Sequence, residues 1–145
     1  MQNKKIKIRA AKISDSSMIR TLCGELGYPV TDSEMRKRMH LILSSSDDKI
    51  FVAVTTSVIG WIQISIRQSL ESGLFAEIQG LIVAKTERHS GVGTALVEKA
   101  EAWAKLKNAG RIRVRTNIVR ENAKTFYTKM DYTEVKTQKV FDKKI

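Results

Sequence analysis

Arg88-His89-Ser90-Gly91-Val92-Gly93-Thr94 decides the fold. The stretch lies between an apolar run, Ile78 to Ala84, and a helical run, Thr94 to Lys107. A strand that turns through two glycines into a helix is a device for holding phosphate. The first helical turn has unpaired N–H groups, and its dipole favours an anion there. Glycines remove the side chains that would keep backbone N–H groups away from phosphate oxygens. Arg88 ahead of them adds a forked cation. The chain is therefore expected to bind a pyrophosphate-bearing cofactor.

Working outward, Lys5 to Ala11 alternates basic and apolar residues, as a half-buried first strand should. Asp15 is placed to cap a helix carrying Met18, Ile19, Leu22, Cys23 and Leu26, which Gly27 stops with Pro29 beyond. Thr31 or Asp32 caps a second helix with Met35, Met39, Ile42 and Leu43 on one side. Ile50–Thr55 and Val58–Arg67 read as a hairpin joined near Thr56-Ser57. Gln68–Gly73 is a surface loop. Phe75–Ala84 is a long, mostly apolar strand, expected to be buried on both faces. The helix after the phosphate loop presents Leu96, Ala100, Trp103 and Ala104 inward and ends at Asn108-Ala109-Gly110.

Arg111–Ile118 alternates Arg111, Arg113 and Arg115 with Ile112, Val114 and Thr116, a strand with one basic face. Glu121–Met130 is a short helix packing through Ala123, Phe126, Tyr127 and Met130, and Tyr132–Phe141 is a closing strand. The order is β-α-α-β-β-β-α-β-α-β. Antiparallel strands followed by a β-α-β crossover give an α/β (α+β mixed) fold, one sheet with helices on both faces.

With 145 residues and neither repeat nor low-complexity linker, residues 1–145 are read as one domain. No apolar run reaches membrane-span length, and the basic start has no apolar signal region. The lone Cys23 has no internal disulfide partner and reads as a small buried hydrophobe, so a reducing cytoplasm is the expected home. Net charge is +11, concentrated in residues 85–145, where 15 Lys and Arg meet 7 Asp and Glu. An anionic cofactor or partner fits that surplus. Two histidines, one cysteine and no dense acidic cluster leave no expected metal site.

Three nucleotide loops compete. A Walker loop needs a Lys after its last glycine, which Gly93 lacks. A dinucleotide fold needs a third glycine where Leu96 stands, and an early β-α-β unit. Arg88-x-x-Gly91-x-Gly93 resembles in full the coenzyme A loop of the GNAT superfamily of N-acetyltransferases, Gln/Arg-x-x-Gly-x-Gly/Ala. The resemblance extends over nearly the whole chain. Ala123-Lys124-Thr125-Phe126-Tyr127 is similar to the family's later motif, Asn-x-x-Ala-x-x-Phe/Leu-Tyr. The motif's Asn falls at Arg120, with Asn122 nearby. The Gly-Phe pair that follows it is Asp131-Tyr132 here, and Asp tolerates the left-handed turn better than most residues.

The resemblance implies a mostly antiparallel mixed sheet of about six to seven strands. It implies direct acetyl transfer from acetyl-CoA to an amine in a ternary complex. The pyrophosphate would sit on the N–H groups of Ser90, Gly91, Val92, Gly93 and Thr94, with Arg88 alongside and His89 as an exposed loop residue. In the family the strand before the loop bulges and splays from the next. Leu81, Ile82 and Val83 would then offer backbone groups to the pantetheine arm, one N–H holding the thioester oxygen. Glu77 is the candidate base, because Ala76-Glu77-Ile78 resembles the base-bearing strand of the histone-acetylating branch; a cross-strand or surface glutamate is the plain alternative. Gln79 shares its face of the strand. Tyr127 is the candidate acid for the departing thiolate, against a packed core tyrosine. Asn122 would hold the cofactor arm or cap its helix, and Asn117 is a further cofactor candidate.

The acceptor is a small-molecule or peptide amine of unread identity. Positive charge disfavours polycationic acceptors such as aminoglycosides, although Glu71 and Glu77 could make the pocket locally acidic. A catalytically idle module of the same fold, binding CoA or using Arg111, Arg113 and Arg115 on nucleic acid, is the second reading. An enzyme acting on an RNA-bound acceptor such as aminoacyl-tRNA is the third. Small members of the family often form homodimers, and no membrane partner is expected.

Overall fold

A computed structural model describes residues 5–117 and 121–145. The chain packs as two compact units, Met1–Val114 and Arg115–Ile145.

The first unit opens with β1 (Lys7–Ala10), a single 3-10 turn at Ile13–Asp15, α1 (Ser16–Glu25) and α2 (Asp32–Leu43). Asp15 precedes α1, but its side chain does not cap that helix. Its two oxygens accept instead from Arg9 Nη1 and Nη2 at 2.8 and 2.9 Å, and one also accepts from the Lys12 N–H. A charged fork satisfies both carboxylate oxygens, which a lone capping bond could not do. Gly27 ends α1 in the left-handed region at φ 83°. The Tyr28 N–H reaches the Cys23 carbonyl and the Gly27 N–H the Gly24 carbonyl, closing the orphan carbonyls. Thr31 caps α2 by accepting from the Glu34 N–H at 3.1 Å.

β2 (Asp48–Val54), β3 (Val58–Ser69) and β4 (Gly73–Val83) follow as an antiparallel meander, then α3 (Val92–Leu106) and β5 (Ile112–Val114). The sheet runs β1-β2-β3-β4-β5, antiparallel throughout except for the parallel pair β4/β5. Period-two alternation splits the sheet between two cores. Ile50, Val52 and Ile82 face Ile19, Leu22, Cys23, Met35 and Met39 of the first two helices, with Trp61 packed alongside. Phe51, Ile62 and Ile64 lie on the opposite face, toward the Leu96, Val97 and Ala100 side of α3. Burying residues of the size of Met39, Ile62 or Leu96 contributes about 1.5–3 kcal/mol each. Met18 is half-exposed rather than in the core, and Trp103 lies half-buried under Lys107.

The second unit holds α4 (Glu121–Lys129) and an extended tail. Tyr127 is buried there, edge-on to Phe126 and Tyr132 at ring centroids of 5.0 and 5.4 Å. Asp131 ends α4 at φ 68°, with the Tyr132 N–H on the Tyr127 carbonyl at 2.9 Å, so the left-handed turn expected at the family's glycine is made by aspartate.

The mixed α/β class and the element order stand as expected up to α4. Two strands differ. Arg111–Ile118 is a strand only over Ile112–Val114; residues 115–117 have no strand conformation, and Ile118 lies outside the described residues. Tyr132–Phe141 forms no strand, and Val135, Val140 and Phe141 are 77%, 86% and 88% exposed. Its alternation has the strand period but no ladder partner, and an extended segment without a partner gains neither hydrogen bonds nor burial. The sheet therefore has five strands among the described residues, not six or seven.

Candidate active site

β4 carries one residue more than β3 at its middle. Ile78 is opposite Ile64 and Gly80 is opposite Gln63, which leaves Gln79 as a bulge. β4 also loses β5 at that point. The parallel pairing covers Ala76–Ile78 with Ile112–Val114 and goes no further. Among the described residues, the run from Gln79 to Val83 thus has β3 on one side and no strand on the other. Burial follows: Phe75 to Ile78 are buried, Gln79 is exposed, and Leu81 and Val83 are half-buried. The expectation of a strand buried on both faces holds only below the bulge. The expected bulge is present, and Leu81, Ile82 and Val83 lie beyond the last β4/β5 pair, Ile78 with Val114. Gly80 is required beside the bulge, because a Cβ there would come within 2.9 Å of the Trp61 ring.

After a 3-10 turn at Lys85–Glu87, Arg88 is extended, His89 is left-handed at φ 66° and Gly91 is left-handed at φ 88°. Two left-handed residues around Ser90 coil the backbone tightly, as an anion nest requires. The Ser90 hydroxyl donates back to the Glu87 carbonyl and steadies the coil. Gly91 is the N-cap of α3 and brings no side-chain cap. The first helical bond runs from the Ala95 N–H to the Gly91 carbonyl at 3.0 Å, so Val92, Gly93 and Thr94 have no acceptor within the helix for their N–H groups. Arg88, His89 and Ser90 are exposed. The loop can hold a pyrophosphate as the sequence suggests.

Glu77 is more buried than a half-buried base would be, at 5% exposure. Gln79 Nε2 donates to its Oε1 at 3.1 Å, and Arg67 Nε stands 4.0 Å from the same oxygen. Ser65 is its cross-strand partner on β3 and Arg113 its partner on β5. Arg67 and Phe75, two pairs further along, carry the same face. The Phe75 ring lies under two guanidinium groups, Arg113 at 4.5 Å and Arg111 at 5.6 Å from its centroid. Arg111 also donates to the Ser72 carbonyl at 3.0 Å. Sequence reasoning took Arg111, Arg113 and Arg115 as one basic row. Only Arg111 and Arg113 stack on Phe75, and Arg115 lies beyond the strand. Arg67 and Phe75 were not singled out at all. The signal for them is the β3/β4 register, which the bulge shifts.

Tyr127, Asn117 and Asn122 belong to the second unit. Burial pushes the Tyr127 hydroxyl up to about 12. It is thus a weaker acid than expected for a match to a thiol of about 8.5. Asn122 is the second residue of α4 and exposed, so it is not the cap; Arg120 lies outside the described residues. Asn117 is exposed. Cys23 is buried, which raises its thiol, as its reading as a small hydrophobe requires. His40 is exposed on α2.

The profile of the Acetyltransferase (GNAT) family matches residues 16–132. The chain is similar to an aminoglycoside N(6')-acetyltransferase type 1 of Klebsiella aerogenes, 27% identical over 144 residues, 94% of this chain and 95% of that one. In fold it is similar to the aminoglycoside N-acetyltransferase AAC(6')-Iy in complex with CoA, at a TM-score of 0.89 and 18% identity, covering 99% of this chain and 98% of that one. It is also similar to aminoglycoside 6'-N-acetyltransferase AAC(6')-Ih of Acinetobacter baumannii, at a TM-score of 0.84 and 22% identity over 97% and 99% of the two chains.

Proposed function

The chain belongs to the acetyltransferase (GNAT) family, and from that premise we propose that it acetylates the amine of a small molecule by direct attack on acetyl-CoA. The observation that carries the reading is the opening of β4 from β5 after Ile78, on the strand that leads into a glycine-capped helix start. That arrangement offers backbone groups along one strand edge and bare N–H groups at its end. The pyrophosphate is held by Ser90 to Thr94 and Arg88; the pantetheine arm runs along Leu81 to Val83, with Asn117 and Asn122 as further contacts. Acetyl-CoA supplies an acetyl group on a good leaving thiolate.

The amine nitrogen bonds to the acetyl carbon and the carbon–sulfur bond breaks. A backbone N–H of Leu81 to Val83 holds the thioester oxygen as negative charge develops. Glu77 receives the proton that the amine must lose. Because Glu77 is buried, Gln79, exposed and bonded to it, stands between base and acceptor and orients the amine or a bridging water. Tyr127 gives its proton to the departing sulfur. Held near 12, it stays protonated at any working pH and gives up the proton only as negative charge arrives. The family profile runs across both units, which supports treating residues 1–145 as one functional domain. The unpaired, buried Cys23 suits a reducing cytoplasm. The aminoglycoside acetyltransferase of Klebsiella aerogenes makes an aminoglycoside amine a second reading of the acceptor.

Calorimetry of acetyl-CoA, with NAD and ATP as controls, tests the cofactor on the natural chain and on an Arg88→Ala, Gly91→Asp double variant. Micromolar binding of acetyl-CoA alone, lost in the double variant, is expected. Equal binding of all three nucleotides, or none, overturns the assignment.

A further inference from the structure

The face of the sheet that carries Glu77 is basic at one end. Phe75 and Glu77 are two apart on β4 and share a face, and their cross-strand partners Arg67, Ser65 and Arg113 share it too. Arg67 and Arg113 therefore flank Glu77, whose Oε1 already accepts from Gln79, while the other carboxylate of this row, Asp48 across from Ser65 on β2, is taken up by the Ser65 hydroxyl. The Arg67 side chain is 54% exposed, and its Nε is at the outer limit of an ion pair with Glu77. The Arg113 guanidinium carbon lies 4.5 Å from the centroid of the Phe75 ring. A guanidinium stacked by its face keeps its edge of N–H donors available, and that edge matches a carboxylate or phosphate. A cationic acceptor brought to Glu77 would meet this positive pair; an acceptor with an anionic group would be drawn to it.

We propose that the acceptor is an amine that also bears a carboxylate or phosphate, held by Arg67 and Arg113 while the amine faces Glu77 and Gln79. This rests on the acetyltransferase reading above and adds the chemical class of its second substrate. Neighbouring strands lie about 4.8 Å apart. An acid seated on Arg113 with its amine at Glu77 therefore needs only a few bonds between the two groups. That separation suits an amino acid or an amino-sugar phosphate better than a long polyamine. The transfer itself is unchanged: the acid group neither gains nor loses a bond.

The test uses the full chain and acceptor probes matched in their amine but not in charge. Glucosamine 6-phosphate is set against glucosamine, lysine against lysinamide, and a polycationic aminoglycoside is added. Binding to the CoA-saturated protein is read by calorimetry and turnover by thiol release. The expected result is at least tenfold tighter binding or higher kcat/KM for one acid-bearing probe over its neutral partner. Arg67→Gln and Arg113→Gln should each remove that preference, the loss on the acid-bearing member of a pair exceeding the loss on its neutral member at least tenfold. On the CoA-saturated protein, inorganic phosphate should compete with the acceptor. Preference for the neutral or polycationic probes, no difference within each pair, or equal losses on both members in the variants overturns the proposal. Failure of acetyl-CoA to bind, measured alone, marks failure of the acetyltransferase reading instead.

Discussion

Gln79 Nε2 donates to Glu77 Oε1 at 3.1 Å, and Gln79 is the one residue by which β4 outruns β3. The bulge therefore does two things together. It ends the pairing with β5, and it sets an exposed amide beside a buried carboxylate. The buried Glu77 carboxylate is then connected to an exposed part of β4 through a side chain that cannot itself take a proton.

Glu77→Gln should lower kcat about 10²–10³-fold, the usual size of a general-base contribution. Acetyl-CoA affinity should stay within about twofold, because Glu77 lies on β4 and is not one of the loop residues 88–94. Gln79→Leu should lower kcat less and raise the acceptor KM, since it breaks the relay but keeps the base. Steady-state kinetics on both variants, with the pH profile of kcat/KM, separate the two. An unchanged kcat in Glu77→Gln removes the carboxylate from the chemistry and leaves it a structural partner of Arg67.

Gly91→Ala isolates the backbone requirement of the phosphate loop. Gly91 is at φ 88°, and a Cβ there would meet nothing within 4 Å. The cost is therefore conformational rather than steric, about 1–2 kcal/mol for a left-handed L-residue. The variant should lose that much stability in urea unfolding and bind acetyl-CoA at least tenfold more weakly. Normal binding in a stable Gly91→Ala protein would place the pyrophosphate elsewhere.

Arg9 and Asp15 tie the first strand to the first helix and make stability depend on acid. The Arg9 guanidinium, by its hydrogen bonds to the carboxyl, holds Asp15 below its ordinary 3.8. A folded value below the unfolded one means the stabilisation is present above the unfolded value and fades as pH falls through the folded one. Asp15→Ala strands a partly buried arginine and should cost about 3 kcal/mol at neutral pH. Its stability, followed by urea unfolding from pH 7 downward, should fall less steeply with acid than that of the natural chain. Parallel acid limbs in the two proteins would exclude this pair as a source of the pH dependence.

Tyr127 should titrate late. Burial raises it to about 12, so the alkaline absorbance titration should contain a late step from this tyrosine. Here the folded value lies above the unfolded one. The linked stability is full below about 10 and is lost as pH climbs through about 12. Tyr127→Phe should delete the late step and lower kcat about 10²-fold. Loss of the late step with an unchanged kcat would make this hydroxyl a packing group.

Much of this was legible in the residues. The glycine loop announced the start of α3, Thr31 the start of α2 and Gly27 the end of α1, because caps and left-handed turns are local and demand particular residues. The bulge came from the resemblance and is in the structure. What stayed hidden was long-range. The neighbours of Glu77 depend on a register that shifts by one residue at Gln79, and alternation alone cannot show where a strand takes in an extra residue. Arg67 was therefore read as the end of a hairpin strand, not as a companion of the base. The tail after Tyr132 misled for the opposite reason: its period was right, but strand pairing needs a partner that no local pattern supplies. Asp15 misled through competition, since a helix cap and an arginine fork want the same oxygens and the fork prevails.

Asp131 offers the last test, and it reaches back to the family motif. The residue sits at φ 68°, the conformation that closes α4 through the Tyr132 N–H and the Tyr127 carbonyl at 2.9 Å. The family usually has glycine there, and a left-handed L-residue is strained where glycine is not. Asp131→Gly relieves that strain but also frees the unfolded chain, which opposes the gain. Aspartate is among the residues that bear φ > 0 best, so the net effect should be small and stabilising, about 0.5 kcal/mol. Asp131→Val, with a branched Cβ in the same conformation, should instead cost about 1–2 kcal/mol. Because Tyr127 sits at the other end of the bond that this turn closes, the valine variant should also depress kcat, and the glycine variant should leave it unchanged. Equal stability in all three proteins would mean that the α4 terminus frays freely and that Tyr127 is held in place by its ring contacts with Phe126 and Tyr132 alone.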